Sequence, residues 1–267
     1  MNEFIKRTVT AFFLIIAAYS LITFLPAIYF SIILYLVISI GAYELLKLSK
    51  PGISSLPLVL INGLVIAAHF TFKKPDLPLA MIIILFLTGL FFLFAVRKQQ
   101  NLETFIRDIG ISFLTIVYLY IPLFYMFKLK TLVAEDNSSA NYLLFMIFVI
   151  AIGDSGAYFI GRAIGKTKIY PVASPNKSLE GLIAAIITAA ASGWLALLIF
   201  KFPKPVAVLT AVISAAIIEL LSQLSDPIES LFKRAAGQKD SGSIFPGHGG
   251  ILDRLDSYIF CAPAMYY

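Results

Sequence analysis

Apolar residues run in long blocks along this chain, and polar residues gather in the short stretches between them. Nine blocks approach membrane-spanning length: 8–26, 27–46, 55–72, 77–96, 106–126, 141–161, 180–200, 205–224 and 251–267. A helix of about 20 apolar residues crosses the hydrocarbon core of a bilayer. The blocks lack the period-two alternation of membrane barrel strands. Gly and Pro within them are compatible with spanning helices, because neighbouring helices re-satisfy freed backbone groups. Pro26 makes a tight hairpin of the first two blocks, and Pro51-Gly52 and Asp76 to Pro78 punctuate later turns. The pattern predicts an all-α fold, a polytopic membrane helix bundle of about nine transmembrane helices.

Composition narrows the class. Hydrophobic residues make up 60% of the chain, and mean hydropathy is +0.91, well above a soluble domain. The single cysteine, Cys261, excludes an intrachain disulfide and a thiolate zinc site. A net charge of +6 suits an anionic membrane surface or an anionic substrate. No basic arm or aromatic-basic patch stands outside the apolar blocks, so nucleic acid is not an expected partner. The first block follows Lys6 and Arg7 and has the outline of a signal peptide. It lacks a small-residue cleavage site and runs into a second span, so a retained anchor is expected.

Cations orient the bundle. With the N-terminus cytoplasmic, fifteen of the 21 Lys and Arg residues fall on the inner side and six on the outer, as the positive-inside rule requires. The same orientation puts the polar loops 162–179 and 225–250 on the cytoplasmic side, where nucleotides are. Residues 1–140 carry few polar residues within their spans and read as scaffold helices; 141–267 read as the catalytic part. No repeat suggests inverted symmetry, which weakens a transporter reading.

Three constellations carry candidate chemistry. Asp154 lies inside an apolar run, with Tyr158, Gly161 and Arg162 at helical spacings from it. An ionisable residue there faces a cavity or a partner, although a small-residue packing face with Asp154 paired to a cation would look the same. In Ser174-Pro175-Asn176-Lys177-Ser178, Ser178 is a helix N-cap candidate. Lys177 beside a positive helix end is favourable only with an anion bound; a solvated lysine is the plain alternative. Glu219, Ser222, Asp226, Glu229 and Lys233 are spaced three, four, three, four, and on one continuous helix they form a single polar stripe. Asp226-Pro227-Ile228-Glu229 also reads as N-cap, N1, N2 and capping-box Glu, so a break and restart at Asp226 is the alternative to the continuous helix. Asp253 and Asp256 recur three apart after Pro246-Gly247-His248-Gly249-Gly250. Carboxylates Asp226, Glu229, Asp253 and Asp256, without sulfur ligands, favour a hard cation such as Mg2+, which takes one or two carboxylates and completes its shell with water and phosphates. The glycine turn offers backbone N–H groups of the kind that cradle phosphate. Lys233, Arg234, Lys239 and Arg254 would neutralise phosphate charge, although cytoplasmic bias alone explains cations there.

These segments resemble a known family. Ser225-Asp226-Pro227-Ile228-Glu229-Ser230, Lys233-Arg234, Lys239-Asp240-Ser241-Gly242, Pro246-Gly247-His248-Gly249-Gly250 and Asp253-Arg254-Leu255-Asp256 closely resemble the C-terminal motif of phosphatidate cytidylyltransferases. Asp154-Ser155-Gly156-Ala157-Tyr158, Gly161-Arg162, Ser174 to Ser178 and Glu180-Gly181 are similar to that family as well. Two positions depart: Ser225 stands where Gly is usual, and Pro227 is not the expected residue. The resemblance implies CTP and phosphatidic acid as substrates, CDP-diacylglycerol and pyrophosphate as products, Mg2+ as cofactor, and a site at the cytoplasmic face of a bacterial-type cytoplasmic membrane. By that resemblance Lys177, Asp226, Lys233, Arg234, Lys239 and Asp253 are catalytic candidates. Gly247, His248, Gly249, Gly250 and Arg254 would hold the nucleotide, and Asp226, Glu229, Asp253 and Asp256 the metal. A second cation and a homo-oligomer are left open. A CTP-dependent polyprenol kinase and an ion or phosphate transporter are the rival readings.

Overall fold

The computed structural model describes residues 3–49, 55–72, 77–96, 99–132, 140–244 and 249–267. Helix dominates, as the apolar blocks require. In chain order the helices are α1 (Glu3–Phe24), α2 (Ala27–Ser49), α3 (Leu56–Phe72), α4 (Leu77–Ala95), α5 (Gln99–Thr115), a π-helical turn (Ile116–Tyr120), α6 (Ile121–Lys130), α7 (Ala140–Ile164), α8 (Leu179–Ile199), α9 (Val208–Ala235), α10 (Leu252–Leu255) and α11 (Tyr258–Tyr266). Five stretches of described residues are long and apolar enough to cross a membrane: Ala27–Ser49, Thr104–Lys130, Ala140–Ile164, Leu179–Ile199 and Val208–Ala235. The protein is an integral membrane protein on this basis.

The described residues refine the expected bundle. Five stretches among them are of spanning length, α3 and α4 are shorter apolar helices, and 251–267 divides into α10 and α11, whose nine residues reach only about 14 Å at helical rise. The fold also contains strand: β1 (Lys168–Tyr170) pairs antiparallel with β2 (Ser174–Ser178). Finally, of the two alternatives at Asp226, α9 takes the continuous one. It runs 28 residues through Pro227, so Asp226 sits in mid-helix rather than at an N-cap. The polar stripe is one continuous helix face, and it ends at a Schellman turn: Gly237 has φ +70, Gln238 N–H donates to Lys233 O and Gly237 N–H to Arg234 O.

The chain forms two compact units. The first comprises Met1–Thr10, Pro26–Phe127 and Asp240–Leu255. Its buried centre includes Ile38, Leu45, Ile66, Ile84, Phe92, Ile116, Leu119 and Leu123. Polar bridges within it are sparse and specific. Asn62 Nδ2 donates to Thr88 Oγ1 between α3 and α4 (3.2 Å). Tyr120, in the π turn, meets Ser39 Oγ at 2.8 Å and lays its ring over Gly63, where a Cβ would lie 2.3 Å from a ring carbon.

The second unit comprises Ala11–Leu25, Lys128–Lys239 and Asp256–Tyr267. Here α7, α8 and α9 approach closely because small residues line their contacts, the usual device for helix pairs without a hydrophobic driving force. A Cβ on Gly156 would strike Thr188, and one on Gly193 would strike Ala211 and Ala215. Gly161 and Gly181 pass so close that a Cβ on either would lie 3.3 Å from the other's Cα. Ser178 caps α8 as expected, its Oγ accepting from Gly181 N–H at 3.2 Å.

Candidate active site

In the second unit the polar face of α9 collects partners from three other segments. Glu219, Ser222 and Glu229 are fully buried, and Lys233 is nearly so. Gln223 Nε2 donates to Asp154 Oδ1 on α7 (2.7 Å) and to Glu219 Oε1 (2.9 Å). Glu219 can reach this position because residue 153 is glycine; a Cβ there would lie 2.2 Å from the Glu219 carboxyl carbon. Among the described residues, Glu219 Oε2 and Ser222 Oγ have no hydrogen-bond partner. Lys233 forms an ion pair with Glu229 one turn before it.

Asp226 is held from both sides. Lys177 Nζ, on β2, donates to its Oδ2 at 3.2 Å, and Ser257 Oγ donates to its Oδ1 at 2.8 Å. The next residue back, Asp256, accepts from Ser257 N–H at 2.8 Å, and its carbonyl accepts from Ser225 Oγ. That bond gives Ser225 a role that Gly could not fill. Burial pushes the Asp256 carboxyl above its usual range, and the nearby Asp226 and Glu229 carboxylates push it the same way. Asp226 and Asp256 are thus linked through Ser257.

A cavity of about 660 Å³ opens in the same unit, lined by Asp154, Tyr158, Arg162, Lys168, Lys177 and Gln223 with Gly161, Gly165 and Gly181 on its floor. Arg162 Nη1 donates to Tyr158 Oη at 2.9 Å. Three cations, Arg162, Lys168 and Lys177, line this cavity, a charge balance that suits a polyanion. Glu180 shapes this wall: its carboxylate accepts from Lys166 N–H (3.1 Å), Thr167 N–H (3.2 Å) and Thr167 Oγ1 (3.1 Å), which fixes the chain just before β1.

The first unit holds its own acid cluster. Asp253 Oδ2 accepts from Gly250 N–H (2.8 Å), Ser241 N–H (2.9 Å) and Ser241 Oγ (2.8 Å). Glu44 of α2 accepts from Ile251 N–H (3.2 Å), Leu252 N–H (2.8 Å) and Ser241 Oγ (2.9 Å). The expected phosphate-facing amide of Gly250 is thus turned to Asp253. Gly249 has φ +76 and a Cβ there would lie 2.5 Å from Asp253 Oδ2, so this glycine is required by the turn itself. Gly247 and His248 lie outside the described residues. Arg234, Lys239 and Arg254 are exposed, and Arg234 Nη1 donates to Gln238 O at 2.9 Å.

The structure brings Lys177, Asp226 and Asp256 together, places Glu229 with Lys233 beneath them on α9, and seats Asp253 on backbone donors. Among the described residues no three His, Cys, Asp or Glu side chains gather as a metal-holding group. Sequence reasoning missed Glu44, Gln223, Ser241 and Ser257. Glu44 carried a readable signal, an acid inside an apolar block; the others are ordinary polar residues whose partners are remote in sequence.

Comparisons with known proteins agree on one family. The family model described as the cytidylyltransferase family matches residues 5–267. A protein of Bacillus subtilis (strain 168) named phosphatidate cytidylyltransferase is 34% identical over 242 residues, covering 89% of this chain and 87% of that one. Proteins of the same name from Staphylococcus saprophyticus and Staphylococcus aureus (strain COL) are 37% and 39% identical over 158 and 146 residues. Those stretches cover 59% and 55% of this chain and 58% and 54% of theirs.

Proposed function

We propose a function from one premise: the chain belongs to the cytidylyltransferase family. It joins CTP to phosphatidic acid, giving CDP-diacylglycerol and pyrophosphate, as the names of its relatives suggest. A phosphate oxygen of phosphatidic acid attacks the α-phosphorus of CTP. A new P–O–P bond forms as the α–β bridging bond breaks, and pyrophosphate leaves with that electron pair. The nucleophile is a phosphate monoester with a second pKa near ~6, already anionic at neutral pH. No triad is needed. The work is to position two polyanions and to neutralise charge on the departing group.

One observation carries this reading: a cavity walled by Arg162, Lys168 and Lys177, with Lys177 tied directly to Asp226. Arg162, Lys168 and Lys177 bind phosphate oxygens. Asp226 and Ser257 orient Lys177 and keep its ammonium directed. Gly249 and Arg254 are assigned to the nucleotide on the chemistry of their motif. Asp226 and Asp256 are assigned to Mg2+. Their donor set fits it: two hard carboxylates, one buried beside other acids and without sulfur competition, match an ion that takes one or two carboxylates. When bound, Mg2+ neutralises phosphate oxygens. The fifteen-to-six cation bias supports an inner-leaflet site and a cytoplasmic N-terminus. CTP then arrives from water while the lipid keeps its tails in hydrocarbon.

The test is product analysis. Membranes containing the protein, given labelled CTP and phosphatidic acid, are expected to place CMP on the lipid and release pyrophosphate. Release of CDP with a newly phosphorylated lipid would instead identify a kinase.

A further inference from the structure

We propose that Glu44 is a positioning residue for the transfer reaction, the anchor that fixes the backbone of Gly250, Ile251 and Leu252 and so the presentation of Gly249 and Arg254. The proposal rests on the reading above, in which those two residues serve the nucleotide.

Three successive amides need acceptors at this point. α10 has only four residues, so the N–H groups around its start have no helical partner of their own. Gly250 N–H goes to Asp253 Oδ2, Ile251 N–H to Glu44 Oε1 and Leu252 N–H to Glu44 Oε2. Ser241 Oγ lies 2.9 Å from Glu44 Oε2 and 2.8 Å from Asp253 Oδ2. The two ends of the Ser241–Gly250 segment are thereby tied at one place. Every hydrogen bond described for the Glu44 carboxylate comes from residues 241–252.

Space was made for this acid. A Cβ on Gly242 would lie 2.3 Å from Glu44 Oε1, and one on Gly250 would lie 2.4 Å from either carboxylate oxygen. Glu44 is only 4% exposed and sits within the spanning helix α2. A carboxylate is expensive there unless it is fully used. Packing of α2 does not need it, since Gly41 and Leu45 already meet α10 and the core. Its use is to hold the backbone at Ile251 and Leu252 beside Ser241.

The experiment compares Glu44→Gln and Ser241→Ala with the parent, as full chains in detergent. Glutamine keeps the size but turns one acceptor into a donor facing an N–H. Two readouts are taken. Amide hydrogen exchange needs no substrate: faster exchange confined to peptides covering 249–255 is expected, with α3 and α8 unchanged. Kinetics should show KM for CTP raised about tenfold, the scale of a small misplacement, while KM for phosphatidic acid and the thermal midpoint stay near the parent's. Ser241→Ala, which removes only the shared hydroxyl, should move both readouts the same way by less, and it carries the test alone if Glu44→Gln does not accumulate. Unchanged exchange, or a parallel loss of stability and of affinity for both substrates, overturns the proposal. An inactive parent with the expected exchange pattern would overturn the functional reading and leave the anchor standing.

Discussion

Lys177 Nζ donates to the backbone carbonyl of Gln223 at 3.3 Å, and that is the carbonyl Pro227 leaves without a helical partner. In a helix the carbonyl of residue 223 accepts from the N–H of residue 227. Proline has none. Because α9 nevertheless continues through Pro227, a buried acceptor is left over at the edge of the cavity. Lys177 takes it, and the same ammonium reaches Asp226 Oδ2 at 3.2 Å. Pro227 thus supplies half of the lysine's seat.

Pro227→Ala should therefore separate stability from activity. Alanine restores the missing N–H and removes the ring clash, so the protein should melt higher, by the equivalent of about 1–3 kcal/mol. Lys177 loses its carbonyl, and kcat/KM should fall severalfold. Thermal melting in detergent beside steady-state kinetics checks both. A variant as active as the parent would show that the carbonyl contact plays no part in aiming Lys177.

Gln223 bridges the α7 and α9 acids, donating from one amide nitrogen to Asp154 and Glu219. Gln223→Leu fills similar volume but leaves two carboxylate oxygens without that donor. A loss of about 1–3 kcal/mol is expected, the scale for stranded buried polar groups. Gln223→Glu should be worse, since it adds a third acid. Equal melting points for Gln223→Leu and the parent would mean that the bridge contributes nothing.

Much of this arrangement was legible beforehand, and the misses have physical causes. The spans at 27–46, 55–72, 77–96, 141–161 and 180–200 fall within a few residues of α2, α3, α4, α7 and α8, because hydropathy alone decides where such helices lie. α9 overran its expected end at 224 by eleven residues, to Ala235. Charge was read there as the end of a span, although its three-four spacing is the signature of a helix face. Asp226-Pro227 leaves cap and mid-helix both open in the sequence, because Asp-Pro often starts a helix; the choice is made by tertiary partners, Lys177 and Ser257, which no local pattern reports. Glu44 was passed over as part of a scaffold, since its partners lie about 200 residues away and no local pattern reports them.

Asp256 gives a pH-dependent prediction. Its carboxyl titrates above the usual range in the folded protein, through burial first and then through Asp226 and Glu229. A raised acid is a liability: as pH rises past the unfolded value, about 3.9, the unfolded chain ionises first and folding stability falls. Asp256→Asn removes that liability. In metal-free protein it should melt higher than the parent at neutral pH, with the gain shrinking toward pH 4, where both chains are protonated. Melting curves across pH 4–8 in the presence of EDTA check the sign. A variant less stable than the parent at pH 7 would show that the ionised Asp256 is instead satisfied.

Asp226→Asn tests the metal assignment most directly. Asparagine keeps the shape and can still accept from Ser257 Oγ, which meets Oδ1 at 2.8 Å, but it removes the negative charge beside Lys177 and one hard donor. Turnover should fall on the order of a hundredfold, the scale for losing one preorganised electrostatic contact. The Mg2+ concentration giving half-maximal activity should rise as well. Binding can be read without turnover: Mn2+ titrated into detergent-solubilised protein gives a paramagnetic signal that falls as the ion is bound. Asp226→Asn should bind Mn2+ more weakly, whereas Gly63→Ala, which crowds the Tyr120 ring in the first unit, should lose stability and keep the parent's metal affinity. If Asp226→Asn binds Mn2+ as the parent does, Asp226 orients Lys177 only, and the cation must be held by other residues.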